Sequence, residues 1–115
     1  MRTPADFIKA LTLGADGIAL ANAAKHAVGC VGARRRHTNN CPAGIATQKP
    51  ELRTRLDVDA GAERLARSMT ASVELMEVMV RACAHDTLSA FNRNDLPSWR
   101  KDVADLAGID WTGRG

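Results

Sequence analysis

The stretch GCVGARRRHTNNCPAGIATQ, from Gly29 to Gln48, divides the chain into two parts with regular hydrophobic patterns. It contains two of the three cysteines, and three consecutive arginines lie between them. Glycines and prolines recur from residue 29 to residue 58, which predicts an irregular loop with one or two helical turns at Glu51–Leu56. Two cysteines on either side of a basic loop raise the question of what they bind.

The residues before this loop predict a helix, a strand and a second helix. Thr3 can cap a helix over residues 4–13 in a capping box with Asp6, and Gly14 ends that helix. The apolar run Gly17–Ala21 predicts one buried strand. Asn22 can cap a short helix that runs to Val28. The rest of the chain contains no second convincing strand, so the partners of the first would belong to a sheet outside this chain.

The residues after the loop predict a helical tail. The longest helix is expected from about Ala60 to Ala84, and Cys83 is expected in its core face. That face is formed by an apolar stripe with helical spacing: Leu65, Met69, Val73, Met76, Val80 and Cys83.

Two shorter helices are expected to follow the long helix. One begins at Asp86 or Thr87, and the other is capped by Asn94-Asp95 and stopped by Gly108. The packing face expected for the tail consists of Leu88, Phe91, Leu96, Trp99, Val103 and Leu106. We therefore expect residues 58–108 to be ordered and helical. Residues 1–57 should be less well packed, with Ile18 and Leu20 poorly covered.

The composition indicates one small, mostly α-helical domain of a soluble protein. The 115 residues are 45% hydrophobic and 25% charged, with a net charge of +3. No stretch reaches the ~18 apolar residues of a membrane span, and MRTPADFIKAL does not resemble a signal peptide. We expect a cytoplasmic location, where thiols stay reduced and a cysteine pattern indicates metal or redox chemistry before a disulfide.

Two segments together resemble a known family. FIKALTLGADGIALANAA resembles the last helix, strand and turn of a flavin-binding β/α barrel. The motif GC-x5-RHTNNCPAGIATQ resembles the iron–sulfur cluster loop of the FMN-binding glutamate synthase family. The resemblance covers essentially the whole chain. It implies a C-terminal fragment of a TIM-type barrel: residues 1–29 as the last α-β-α, 30–57 as a degenerate cluster-type loop, and 58–115 as a helical tail.

The resemblance also implies an FMN site. FMN in this family lies at the carboxyl ends of the barrel strands, so the backbone N–H groups of Ala21, Asn22 and Ala23 are placed to meet its phosphate. Many relatives have Gly-Arg where this chain has Ala21-Asn22, which leaves only backbone contacts. The alternative is that Asn22 is simply a helix cap.

The family's cluster loop uses three cysteines, in the spacing C-x5-C-x4-C, to ligate a three-iron, four-sulfur cluster. Cys30 and Cys41 occupy the outer positions, and Arg36 replaces the middle cysteine. A guanidinium stays protonated and has no lone pair for iron, so we expect the cluster to be absent. No cofactor is expected on the isolated chain.

Other readings of the loop remain open. Cys30, His37 and Cys41 could be part of a zinc site, although a fourth ligand is missing. Arg34–Arg36 could contact nucleic acid, although no recognised motif accompanies them. The loop could also be a solvated or internally paired basic segment with two buried thiols. His26 and His85 have no partner that the sequence identifies.

The resemblance implies that the parent enzyme forms glutamate from 2-oxoglutarate and an amino group, with hydride delivered from reduced FMN. Most of the chemistry would belong to polypeptide preceding this segment, and no residue of this chain is assigned a catalytic role. The expected partner is the rest of the synthase barrel or a separate barrel subunit. The alternatives are a small helical interaction module that pairs with such a subunit and a basic nucleic-acid-binding module.

Overall fold

The protein is mostly helical, as the sequence predicts. A computed structural model describes residues 2–113. Its α-helices are α1 (Pro4–Thr12), α2 (Asn22–Val28), α3 (Pro50–Arg53), α4 (Val58–Ala82) and α5 (Lys101–Ala107). Short 3-10 turns occur at Arg36–Thr38, Leu88–Ala90 and Arg93–Asp95. None of the helices in the described part of the chain is both long and apolar enough to cross a membrane.

The predicted strand at Gly17–Ala21 does not form. Within residues 2–113 the β-pairing is limited to an isolated bridge between Ser98 and Trp111. Ile18 and Leu20 are partly buried, whereas the residues between and beside them are exposed. This alternation suits an extended segment. A strand needs a partner for its backbone groups, and the described chain provides none, so the prediction of a barrel fragment stays a prediction.

Helix α1 begins as predicted. The Thr3 hydroxyl accepts a hydrogen bond from the Asp6 N–H at 3.3 Å, and the Asp6 carboxylate accepts one from the Thr3 N–H at 3.1 Å. The backbone N–H of Arg2 also donates to Asp6, and these bonds hold the pKa of this carboxyl below its usual range. The capping box therefore fixes the start of the helix.

Helix α2 begins one residue earlier than an Asn22 cap would require. Ala21 occupies the cap position, no side chain caps the helix, and Asn22 is its first residue. The helix ends as predicted at Gly29, whose φ of 125° favours glycine.

The chain forms two compact units. Residues 2–19 and 72–113 belong to the first, and residues 20–71 form the second. Every buried apolar side chain larger than cysteine among the described residues lies in the first unit: Phe7, Ile8, Met76, Val80 and Phe91. The expectation that residues 1–57 pack poorly is therefore wrong for α1. It holds for residues 20–57, where Cys41 is the sole buried apolar side chain.

The predicted stripe of α4 is only partly buried. Met76 and Val80 are buried, whereas Val73 is 47% exposed. Cys83 is exposed, so its assignment to the core is wrong. The reason is that α4 ends at Ala82 and the chain turns at Ala84, which has a φ of 58°. Cys83 therefore lies beyond the regular helical repeat.

The last helix is shorter than predicted. Asn92, rather than Asn94-Asp95, provides the capping side chain, and it caps a 3-10 turn. Helix α5 starts only at Lys101 and ends at Gly108 as expected. It buries Ala104, whereas Leu106 is 90% exposed. Trp99 precedes the helix and is 79% exposed, so the predicted Leu96–Leu106 packing face is wrong.

A histidine–carboxylate pair joins the end of α4 to the turn at 93–95. His85 Nε2 lies 2.8 Å from Asp95 Oδ2, and both side chains are largely shielded from solvent. The Phe91 ring meets the His85 ring edge to face at 5.5 Å. The Asn92 N–H also donates to Asp95, and this bond, followed by that with His85, lowers the pKa of the Asp95 carboxyl. The sequence analysis found no partner for His85.

This pair predicts an acid-dependent loss of stability. Because the pKa of Asp95 is lowered from 3.8 on folding, its stabilising effect is present above that value and is lost as the pH falls through the lowered pKa. Asp95→Ala should lower the urea midpoint at pH 6, and the difference from wild type should shrink between about pH 4 and pH 2. Asp16→Ala, which removes an exposed carboxylate, is the control. A constant difference from pH 6 to pH 2 would contradict this account.

Candidate functional site

The candidate site is the loop from Gly29 to Lys49, which belongs to the second unit. The loop follows directly after helix α2, and an arginine of α4 binds the last residue of α2. Arg64 Nη2 donates to the Val28 carbonyl at 2.8 Å. A cation at the carboxyl end of a helix satisfies a free carbonyl and complements the helix dipole. The loop therefore starts from an anchored position.

A second contact holds the first cysteine of the loop. His26 Nδ1 lies 3.0 Å from the Cys30 carbonyl, a hydrogen bond in which the ring N–H donates. Cys30 itself is partly buried. His26 thus has a structural partner in the backbone of the loop.

The middle of the loop is fully exposed. Every residue from 31 to 40 is exposed, including Arg36, which begins the 3-10 turn. Thr38 closes this turn, because its hydroxyl donates to the Arg35 carbonyl at 2.8 Å. Arg34 has a φ of 54° and Asn39 a φ of 58°, so the backbone is in the left-handed region on both sides of the turn.

Asn39 and Thr47 close the second half of the loop, and we call their contacts the Asn39–Thr47 clasp. The Thr47 hydroxyl donates to the Asn39 carbonyl at 2.7 Å, and the Gln48 N–H donates to Asn39 Oδ1 at 2.6 Å. The Lys49 N–H in turn donates to the Thr47 hydroxyl at 3.2 Å. Thr47 is buried, so the two bonds of its hydroxyl are partly shielded from solvent, whereas the Gln48 bond is exposed. The clasp fixes the spacing between residues 39 and 48.

Cys41 is buried within the clasped loop. Backbone N–H groups of the following residues point at its sulfur and lower the pKa of the thiol, that of Ala46 most, then those of Ala43, Ile45 and Gly44; burial alone would raise it. Hydrogen bonds from backbone N–H groups favour a thiolate. This half of the loop therefore keeps the environment that a thiolate ligand needs.

Gly44 is where the loop meets the following residues most closely. A side chain there would put its Cβ 2.4 Å from the Leu52 carbonyl oxygen, and the φ of Gly44 is 75°. Arg55 also reaches the loop, since its guanidinium donates to the Pro42 carbonyl at 3.4 Å. Only glycine fits this position, because both the backbone angle and the space exclude a side chain.

The predicted cluster positions differ in setting. Cys41 is buried, Cys30 is partly buried and Arg36 is exposed. Two thiols and a guanidinium do not fit the three-cysteine donor set of the cluster that the resemblance implies. Among residues 2–113, no three His, Cys, Asp or Glu side chains are placed to hold a metal ion. The zinc reading with His37 is therefore wrong.

The predicted FMN-phosphate residues lie at the start of α2. Ala21 and Asn22 are exposed and Ala23 is partly buried. No side chain caps this helix end, so the reading of Asn22 as a cap is wrong and the first N–H groups remain available to an anion. Only backbone N–H donors are placed to bind the FMN phosphate here, and the phosphate site stays a prediction.

Sequence reasoning missed the residues that build the loop. It considered the segment TNNCPAGIATQ mainly for its cysteine, whereas Asn39, Gly44 and Thr47 hold the backbone around that cysteine. Two sequence features could have indicated these roles. They are Gly44, which closes the Cys-Pro-Ala-Gly turn, and the polar residues Asn39 and Thr47 on each side of an otherwise apolar segment.

Comparisons with known proteins agree with the resemblance. Residues 1–85 match the family model described as the conserved region in glutamate synthase. The archaeal glutamate synthase [NADPH] of Methanocaldococcus jannaschii is 37% identical over 82% of this chain and 18% of its own length. The archaeal-type glutamate synthase [NADPH] of Thermotoga neapolitana is 40% identical over 95% of this chain and 20% of its own length.

A third relative is similar over almost the whole chain. The glutamate synthase large subunit-like protein of Rhizobium meliloti is 33% identical over 98% of this chain and 29% of its own length. The chain thus spans between about a fifth and three tenths of these three relatives. No solved structure matches.

The close approach at Gly44 predicts a sharp effect of one methyl group. Gly44→Ala should destabilise the chain by about 1–3 kcal/mol, because it adds strain and a backbone clash, and should speed the alkylation of Cys41. Gly17→Ala is the matched control, since nothing lies within 4 Å of its added Cβ. Urea unfolding and mass-spectrometric labelling of each cysteine measure both effects. Equal behaviour of the two variants would contradict the structure of the loop.

Proposed function

Because the chain belongs to the glutamate synthase family, we propose that it is the C-terminal portion of an FMN-dependent glutamate synthase-like oxidoreductase. The reaction of the complete enzyme is the formation of glutamate from 2-oxoglutarate and an amino group. The rest of that enzyme is a barrel, supplied by the same polypeptide or by a separate subunit. By itself the 115-residue chain is not catalytic.

The observation that carries this proposal is the clasped loop around Cys41. The contacts that hold this loop come from residues of the family segment TNNCPAGIATQ. Asn39 and Thr47 form its hydrogen bonds, and Gly44 allows its close approach to the following residues. The backbone N–H groups directed at Cys41 favour a thiolate, and thiolates are the ligands of iron–sulfur clusters. A segment that matches relatives over 82–98% of its length supports the same origin.

We further propose that the start of α2 contributes to the FMN site. The free N–H groups at Ala21–Ala23 suit a phosphate, and their hydrogen bonds would position that group without a cationic side chain. When bound, FMN supplies two-electron redox chemistry. The contribution of this chain is to bind and orient, since none of its described residues is assigned a proton transfer.

The loop itself is proposed to bind no iron–sulfur cluster. Arg36 provides a positive charge and no lone pair where the family's loop has its middle thiolate. Its exposed side chain can remain in water, so the loop keeps its fold without the metal. In this protein the loop therefore has a structural role beside the proposed flavin site, and no electron-transfer step is assigned to it.

A chimera tests the proposal directly. The archaeal-type glutamate synthase [NADPH] of Thermotoga neapolitana is the parent enzyme of this chimera. Replacing its matching segment by residues 1–115 should yield a soluble protein that retains FMN and forms glutamate. The same chimera should lack iron beyond that of any other cluster in the parent, whereas Arg36→Cys should add about three iron atoms per chain.

The parent enzyme, purified in parallel, sets the reference for flavin, iron and rate. A control chimera with Arg53→Cys adds a thiol at an exposed position outside the cluster spacing and should gain no iron. A soluble chimera without FMN would contradict the proposed origin. Stoichiometric iron in the Arg36 chimera, equal to that of the Arg36→Cys chimera, would contradict the proposed loss of the cluster.

A further inference from the structure

We propose that the exposed loop at residues 31–40 is a docking surface for an acidic protein, with Arg34, Arg35 and Arg36 as its binding groups. This inference goes beyond the proposed function. It rests on the charge and geometry of the second unit and holds whether or not a flavin is bound nearby. Arg36, at the middle ligand position of the family's loop, would then bind an anion together with Arg34 and Arg35.

Charge is distributed unevenly along the chain. Residues 20–71 contain nine Lys and Arg against four Asp and Glu, a net charge of +5, whereas the whole chain has a net charge of only +3. Three of these nine cations are consecutive at Arg34–Arg36. A local field of this kind attracts anionic partners even when the total charge is small.

The guanidinium groups of Arg34, Arg35 and Arg36 are unpaired within the described part of the chain. Among residues 2–113, none of their guanidinium groups forms an ion pair or a hydrogen bond, although other arginines do: Arg64 binds a carbonyl and Arg67 lies 3.4 Å from Glu63. Each guanidinium has five N–H donors that match a carboxylate in a two-pronged geometry. Their full donor capacity is therefore available to a partner.

The loop is also held in place at both ends. His26 fixes the Cys30 carbonyl on one side, and the Asn39–Thr47 clasp fixes the other. Between them, Thr38 binds the Arg35 carbonyl through both its hydroxyl and its N–H. Because the backbone is already ordered, a partner would pay less conformational entropy on binding than it would for a free arginine tail.

The same features disfavour nucleic acid. The second unit contains no Phe, Tyr or Trp, since Phe7, Phe91, Trp99 and Trp111 all lie in the first unit, so it lacks the large rings on which single-strand binders stack successive bases. Only Arg36 lies on the short 3-10 turn, and Arg34 and Arg35 precede it, so no recognition helix presents the three arginines to a major groove. Clustered carboxylates on a protein surface suit this arrangement better.

Binding of the full chain to a labelled acidic peptide of alternating Asp and Glu, followed by fluorescence anisotropy at low salt, tests the proposal. The chain should bind the peptide, and Arg34→Gln/Arg35→Gln/Arg36→Gln should weaken binding by about tenfold or more. The matched control is Arg53→Gln/Arg67→Gln/Arg81→Gln, which removes the same charge from exposed helical positions. It should weaken binding by less than about threefold.

Circular dichroism and the alkylation rate of Cys41 verify that the triple Arg→Gln variant keeps its fold. If either measurement changes, the triple Arg→Lys variant is used instead, because lysine keeps the charge but loses the two-pronged geometry. An intermediate affinity of the lysine variant supports the proposal. Equal weakening by the loop and control variants would overturn it, as would the absence of binding at low salt. Tighter binding to a duplex DNA than to the acidic peptide would also overturn it in favour of nucleic acid.

Discussion

The bond from the Thr47 hydroxyl to the Asn39 carbonyl, 2.7 Å long, is the constraint on which the second unit depends. It closes the loop, and the Asn39 side chain binds the Gln48 N–H in the same place. Few apolar side chains are buried in this unit, so hydrogen bonds and the close approach at Gly44 must supply the order that a hydrophobic core supplies elsewhere. Cys41 is shielded as a consequence, with backbone N–H groups directed at its sulfur.

With this arrangement, the loop can fold without the metal cluster that the family motif implies. None of the contacts in the clasp involves Arg36 or Cys30, so replacing the middle ligand leaves the clasp intact. A site whose scaffold is independent of its ligand can lose the ligand without unfolding. The exposed half of the loop is then free to vary, and three arginines occupy it.

The sequence predicted the fold where local rules decide, and failed where tertiary packing decides. The capping box at Thr3, the end of α2 at Gly29 and the long helix α4 follow from spacing and end signals, and the structure confirms them. Trp99 and Leu106 were misjudged because periodicity cannot show that the chain stays irregular until Lys101. For the site, the motif identified the family, but Thr47 and Gly44 acquire their roles from tertiary contacts with Asn39 and Leu52, and the sequence pattern does not identify these partners.

Hydrogen exchange at the Gln48 amide, in protein dialysed free of metal, tests the central claim that the loop folds without a cluster. The account predicts slow exchange at Gln48 in the metal-free wild type, because this N–H donates to Asn39 Oδ1 at 2.6 Å. Thr47→Val should abolish that protection, whereas Thr54→Val, which removes a hydroxyl bonded only within α3 and its end, should leave it unchanged. Exchange at the rate of an unfolded chain in the metal-free protein, with protection gained only when iron and sulfide are supplied, would contradict the account.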